Sequence, residues 1–208
     1  MSKDELIQDL EKSGVLENNL IKEAFLKIDR ADFVPDYEKF FAYENHPLDI
    51  GFGQTISQPY TVAFMLSLLS PKPGEKILEI GAGSGWQTAL LGYIVSKKVS
   101  GKVIAIERIK ELAEFAKKNI LKYSLISKHI KIIVGNGALG YEKDSPYDKI
   151  IGAASGKNIP EAWKQQLKIG GKIVTPVEES IWEIYKKSKT NFEIKKYPGF
   201  VFVPLIES

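Results

Sequence analysis

Residues 51–60 read GFGQTISQPY and crowd Gln54, Thr55, Ser57 and Gln58 together with no charge among them. Hydroxyls and carboxamides are neutral donors and acceptors, and Gly51 and Gly53 give the backbone that carries them unusual freedom. Such a set can orient an oxygen-bearing ligand. It cannot by itself make a serine nucleophile, which needs a base within hydrogen-bond reach. The two histidines, His46 in ENHPL and His129, stand in no motif that supplies one and in no cluster with metal-ligand spacing. A purely structural reading competes: Ser57 is the N-cap of the helix that TVAFMLSLL begins, with Pro59 in its first turn.

A second constellation lies at EIGAGSG, residues 79–85, between an apolar run and a helical pattern. Gly81, Gly83 and Gly85 let the backbone come close to a ligand at the carboxyl end of a strand. The dinucleotide fingerprint G-x-G-x-x-G fails because its sixth position is Trp86, and no phosphate-binding P-loop pattern occurs. Glu107 ends the next apolar run, roughly 20 residues on, where a carboxylate can accept from both hydroxyls of a ribose. Farther along, GNG (135–137) puts Asn136 where its amide oxygen could read an adenine amino group. A simple Asn-Gly turn explains it equally well.

These residues need a scaffold, and 208 residues supply one substantial domain. With 44% hydrophobic and 26% charged residues the chain has the composition of an ordinary globular protein. No apolar run reaches the roughly 18–20 residues that span a bilayer. The charged N-terminus, MSKDELIQDLEKSG, lacks the apolar core of a secretory signal. Cysteine is absent, which removes disulfides, thiolate metal sites and cysteine nucleophiles together. The net charge of +3 comes from scattered lysines, with Arg30 and Arg108 the only arginines, and nucleic-acid readers need clustered basic residues. A cytoplasmic monomer that binds neither nucleic acid nor membrane, and holds no metal, is expected.

Residues 4–30 fit two short amphipathic helices, and residues 31–58 read as a long irregular piece rich in aromatic, Pro and Gly residues. From residue 75 the pattern alternates. KILEIG, KVIAIE, IKIIVG, YDKIIGAA and KIVTPV read as strands, separated by helices at WQTALLGYIV, RIKELAEFAKKNILKY and IPEAWKQQL, with a Gly170-Gly171 turn before the last strand. Strands alternating with helices imply a doubly wound α/β fold with a mostly parallel sheet. SIWEIYKKS and FEIKKYPGFVFVPLI follow without a helix between them, so a hairpin closes the sheet with an antiparallel strand. The organisation expected is one domain: N-terminal helices and substrate loop (1–58), cofactor-binding core (59–177) and C-terminal hairpin (178–208).

The G-x-G-x-G spacing with Glu79 just ahead resembles the S-adenosylmethionine site of class I methyltransferases. Within that class, attack through pyrimidine carbon-5 needs a cysteine, and the Asn/Asp-Pro-Pro-aromatic motif of amino-group methyltransferases is replaced here by GAASGKNIP. RADFVPD, AYENHPLDIGFGQTISQPY, ILEIGAGSGWQTALL, GNGALGY, SPYDKIIGAAS, IPEAWKQQLKIGGKIVTPV and FVFVPL, in that order, resemble the protein-L-isoaspartate O-methyltransferase family over nearly the whole chain. The resemblance implies methylation of the α-carboxylate of isoaspartyl residues in aged proteins and peptides, whose ester then closes to a succinimide. It implies S-adenosyl-L-methionine as cofactor and S-adenosyl-L-homocysteine as product. Ser57 falls on the family's catalytic serine. Cofactor contacts carry over to Thr55, Ile56, Glu79, Gly81, Ala82, Gly83, Ser84, Gly85, Glu107, Arg108, Asn136 and Gly137, and substrate contacts to Gln54, Thr55, Ser57, Gln58 and Val203. Asp49, Trp86 and the PVEES stretch depart from the family's usual residues. A methyltransferase dedicated to one aspartate of one protein, and a non-catalytic adaptor for isoaspartyl proteins, are the alternatives.

Overall fold

The structure, a computed structural model, describes residues 1–206. Glu207 and Ser208, the end of the expected C-terminal unit, lie outside the described residues. Helix α1 (Lys3–Lys12) starts at a capping box in which Ser2 and Glu5 satisfy each other's backbone N–H. It buries Leu6, Ile7 and Leu10, and α2 (Asn19–Lys27), capped by Asn18, buries Ile21, Ala24 and Phe25. Both expected helices are present.

The stretch expected to be irregular holds short elements. Two 3-10 turns, Arg30–Phe33 and Asp36–Phe41, lead into an antiparallel hairpin of β1 (Leu48–Gly51) and β2 (Gln54–Ile56). Alternation over so few residues is too brief to announce a strand, and the turn between them runs through left-handed backbone at Gly51, Phe52 and Gly53. Helix α3 (Pro59–Leu69) then packs on the main sheet.

The core follows as β3 (Lys76–Ile80), α4 (Trp86–Val95), β4 (Lys102–Glu107), α5 (Lys110–Leu121), the short α6 (Ser124–Ser127), β5 (Ile130–Val134), β6 (Tyr147–Gly152), α7 (Glu161–Gln166), β7 (Leu167–Val177), β8 (Ser180–Lys186) and β9 (Phe192–Pro198). Their order in the sheet is β5-β4-β3-β6-β7-β8-β9, parallel as far as β7 and antiparallel through β8 and β9. Alternate residues feed two apolar layers. Ile77 and Val103 face one with Leu66 and Leu90, while Leu78, Ile80, Ile104 and Ile106 face the other with Trp163 and Ile173. Burial on both faces explains why these strands read as continuous apolar runs.

Two details differ from the sequence expectation. Gly170-Gly171 is not a turn ahead of the strand. β7 begins at Leu167, directly after α7, and the pair lies inside it, where the register against β6 shifts between Tyr147 and Lys149. A side chain at Gly171 would meet the Asp148 carbonyl at 2.8 Å, so close strand approach explains that glycine. The C-terminal run is not one strand either. β9 stops at Pro198, Gly199 turns the chain at φ +94°, and residues 200–206 cross to Ser155, whose N–H donates to the Val203 carbonyl at 2.8 Å.

Candidate active site

The carboxyl ends of β3, β4 and β6 open into a cleft. The turn after β3 forms its floor. Gly81, Gly83 and Gly85 sit at φ +86°, +54° and +92°, backbone that side-chain-bearing residues rarely adopt. The Ile106 carbonyl accepts from the Gly81 and Ala82 N–H groups at 2.8 and 3.1 Å, which ties the turn to β4. Glu107, 6% exposed at the end of β4, completes the tie: Oε2 accepts from the Gly83 N–H at 2.9 Å and Oε1 from the Ile109 N–H at 3.0 Å. Each oxygen keeps a further lone pair, so a carboxylate lining the cleft can take a hydroxyl donor on each.

Glu79 lies beneath the turn and is fully buried. Gln87 Nε2 donates to its Oε1 at 3.0 Å, and among the described residues Oε2 has no hydrogen-bond partner. Burial pushes its pKa up to about 8, against the pull of the Thr88 hydroxyl and the Gln87 amide. Asn136 fixes the turn after β5, its Oδ1 accepting from the Ala138 N–H at 2.9 Å. The turn brings Gly137 to the cleft wall, where an added Cβ would stand 2.4 Å from Ile80 Cγ2.

The opposite wall is β2 and the loop into α3. Gln54, Thr55, Ile56 and Ser57 line the cleft there, with Val203 to Ile206 from the C-terminal segment. Ser57 does not cap α3, contrary to the purely structural reading. The cap residue is Gln58, which makes no side-chain cap bond, and the Tyr60 N–H is satisfied by Asn45 Oδ1 at 3.0 Å. Gln58 turns its amide to the Asn45 carbonyl at 2.8 Å, away from the cleft. Among the described residues nothing hydrogen-bonds the Ser57 hydroxyl, which leaves it available to a ligand. His46 lies outside the cleft and holds the Pro47 carbonyl and the Glu44 carboxylate, which raise its pKa in that order.

Of the residues expected at the site, the cleft gathers Gln54, Thr55, Ile56, Ser57, Gly81, Ala82, Gly83, Ser84, Glu107, Arg108, Gly137 and Val203. Glu79, Gly85, Asn136 and Gln58 stand behind it and shape it. Trp86, Gln87, Leu112, Ala153 and Ala154 line it unannounced. Ala153 and Ala154 follow β6, and the rule that ligands sit at strand carboxyl ends could have found them. Trp86 is 3% exposed, and among the described residues its indole N–H has no hydrogen-bond partner.

The family model described as protein-L-isoaspartate(D-aspartate) O-methyltransferase matches residues 1–208. The chain belongs to that family. Protein-L-isoaspartate O-methyltransferases of Methanopyrus kandleri and Ignicoccus hospitalis are 42% and 43% identical to it, over 99% of this chain and 91% and 97% of theirs. A Plasmodium falciparum crystal structure assigned to the same enzyme, in complex with S-adenosyl-L-homocysteine, superposes with a TM-score of 0.89 at 26% identity and covers all of both chains. The family's fold is the one described above: a mostly parallel sheet, antiparallel at its C-terminal side, with helices ahead of it.

Proposed function

We propose that the chain transfers a methyl group from S-adenosyl-L-methionine to the α-carboxylate of L-isoaspartyl residues in damaged proteins, releasing S-adenosyl-L-homocysteine and starting repair through a succinimide. The observation that carries this reading is the uncharged ledge of Thr55 and Ser57 facing the glycine turn across one cleft, with the serine hydroxyl uncommitted.

The cleft fits the cofactor on its own terms. Left-handed glycines let the backbone approach a ligand at Gly81 to Gly85, and Glu107 presents acceptors suited to the two ribose hydroxyls. Gly137, backed by Asn136, Arg108 and Ile56 form the rest of the nucleoside's surroundings, and Glu79 sets the turn from below. When bound, S-adenosylmethionine supplies a methyl group on a positively charged sulfur, already a strong electrophile.

The acceptor carboxylate, with a pKa of about 3–4, is ionised at neutral pH, so no base is required. What the protein contributes is orientation, which is worth several kcal/mol when reacting atoms are held in line. Ser57 and Thr55 hold the acceptor by neutral hydrogen bonds, which leave its oxygen nucleophilic; a lysine or arginine contact would quench it. Gln54 and Val203 flank the acceptor peptide, and Gln58 supports the loop from behind. Scattered lysines argue against a nucleic-acid partner, and among the described residues no helix is long and apolar enough to cross a membrane.

The test pairs two peptides that differ only in an isoaspartyl or aspartyl linkage, each incubated with methyl-labelled S-adenosylmethionine. Label should enter the isoaspartyl peptide alone, as a base-labile ester. Equal labelling of both peptides, or homocysteine-product binding without any transfer, overturns the proposal.

A further inference from the structure

Arg30 is a buried cation that the reading above leaves unused. It is 2% exposed, and among the described residues no carboxylate lies within ion-pair distance of it. Its guanidinium serves backbone carbonyls instead. Nη1 donates to Ala42 at 2.7 Å and Glu44 at 3.4 Å; Nη2 donates to His46 at 3.1 Å and Ser57 at 3.2 Å. The carbonyls of residues 42, 44 and 46 alternate along one stretch of chain, and the fourth belongs to the serine. Behind the fork, the guanidinium carbon lies 5.3 Å over the ring of Trp86, which walls the cofactor cleft. Only a planar, multi-donor cation can span acceptors this far apart and also stack on an indole. Burial pulls its pKa down to about 9, with the charge of Glu38 opposing, and four carbonyl acceptors favour the fully protonated fork at neutral pH.

We infer that Arg30 is a positioning residue for methyl transfer: its guanidinium clamps the Ser57 backbone and the 42–46 segment against Trp86, so that the serine hydroxyl keeps its place beside the bound methyl donor. The inference rests on the acceptor role given to Ser57. It accounts for a charge that has no ion-pair partner. Carbonyl dipoles hold the loop without neutralising the cation, and Arg30 does not itself line the cleft: it reaches the lining only from behind, at the Ser57 carbonyl and the Trp86 ring.

The test measures Arg30→Met and Arg30→Lys, each in the full chain with and without Ser57→Ala. Rates on an isoaspartyl peptide are taken per folded molecule, counted by the stoichiometry of S-adenosylhomocysteine binding. Arg30→Met should lower kcat about 10-fold or more, as misplacement of an orienting group does. KM for the peptide and the dissociation constant of S-adenosylhomocysteine should change far less. Arg30→Lys keeps the charge and loses the fork, so it should recover only part of the rate. On the Ser57→Ala background either substitution should cost less than about 2-fold, because a clamp that works through Ser57 has nothing left to place. Unchanged kcat in both variants overturns the clamp, as does an equal loss on both backgrounds. If Arg30→Met yields no folded protein, Arg30→Lys alone decides by the same two criteria. Ser57→Ala with full activity would instead overturn the role of Ser57, a separate failure.

Discussion

The two walls of the cleft are held in place by different means. On the donor side, residues 76–107, backbone meets backbone: the Ile106 carbonyl accepts from Gly81 and Ala82, while Glu107 grips the Gly83 N–H and Asn119 donates to the Ser84 carbonyl. On the acceptor side, residues 42–60, side chains reach far along the sequence to hold backbone: Arg30 on four carbonyls, Asn45 on the Tyr60 N–H, Gln58 on the Asn45 carbonyl. The donor side is therefore tied directly to the sheet it extends. The acceptor side is a loop whose shape depends on a few polar side chains. Damage to the first should appear in cofactor binding, and damage to the second in turnover with binding kept.

The largest effect expected on the donor side is from Glu107→Ala. It removes the acceptors proposed for the ribose and frees the glycine turn, so calorimetry should show S-adenosylhomocysteine affinity falling about 100-fold or more, as loss of charge-assisted hydrogen bonds does. Affinity within a few-fold of the parent would mean the turn does not depend on its carboxylate. Gly137→Ala forces a Cβ against Ile80 and should lower stability by about 1–3 kcal/mol in denaturant unfolding, the usual cost of overpacking.

Legibility in the sequence divided along the same line. Glycines, strand alternation and the strand-end acid are local patterns, so the donor side, the sheet and Glu107 could be read directly. Short-range spacing cannot show that Arg30 reaches Ser57 or that Asn45, not Ser57, satisfies the first turn of α3. Gln58 illustrates the limit: a polar residue beside the site whose amide turned out to serve the loop. The hairpin inside residues 31–58 escaped because its strands are too brief to set a period.

A pH effect sharpens the donor side further. Glu79 keeps its proton up to about pH 8 in the fold and releases it near its ordinary value of 4.5 when unfolded. Across that window the folded state binds more protons, so stability of the cofactor-free chain should fall as pH rises from about 4.5 to about 8. Glu79→Gln, uncharged and of equal size, should flatten the slope in thermal melts at the two ends of the window. A slope that persists in the variant assigns it to other groups. The smallest effect is on the acceptor side: Asn45→Ala should cost about 1 kcal/mol for a lost helix cap, with cofactor affinity unchanged.

Ser57→Ala tests the division of labour most directly, measured as S-adenosylhomocysteine affinity, thermal stability and turnover of an isoaspartyl peptide on one preparation. The hydroxyl has no bond within the described chain to lose, so stability should stay within about 0.5 kcal/mol. Cofactor affinity should hold while turnover falls about 100-fold or more, the loss expected when an orienting hydrogen bond goes. A variant that unfolds yet keeps full activity per folded molecule, or that loses cofactor affinity in step with turnover, would contradict the account.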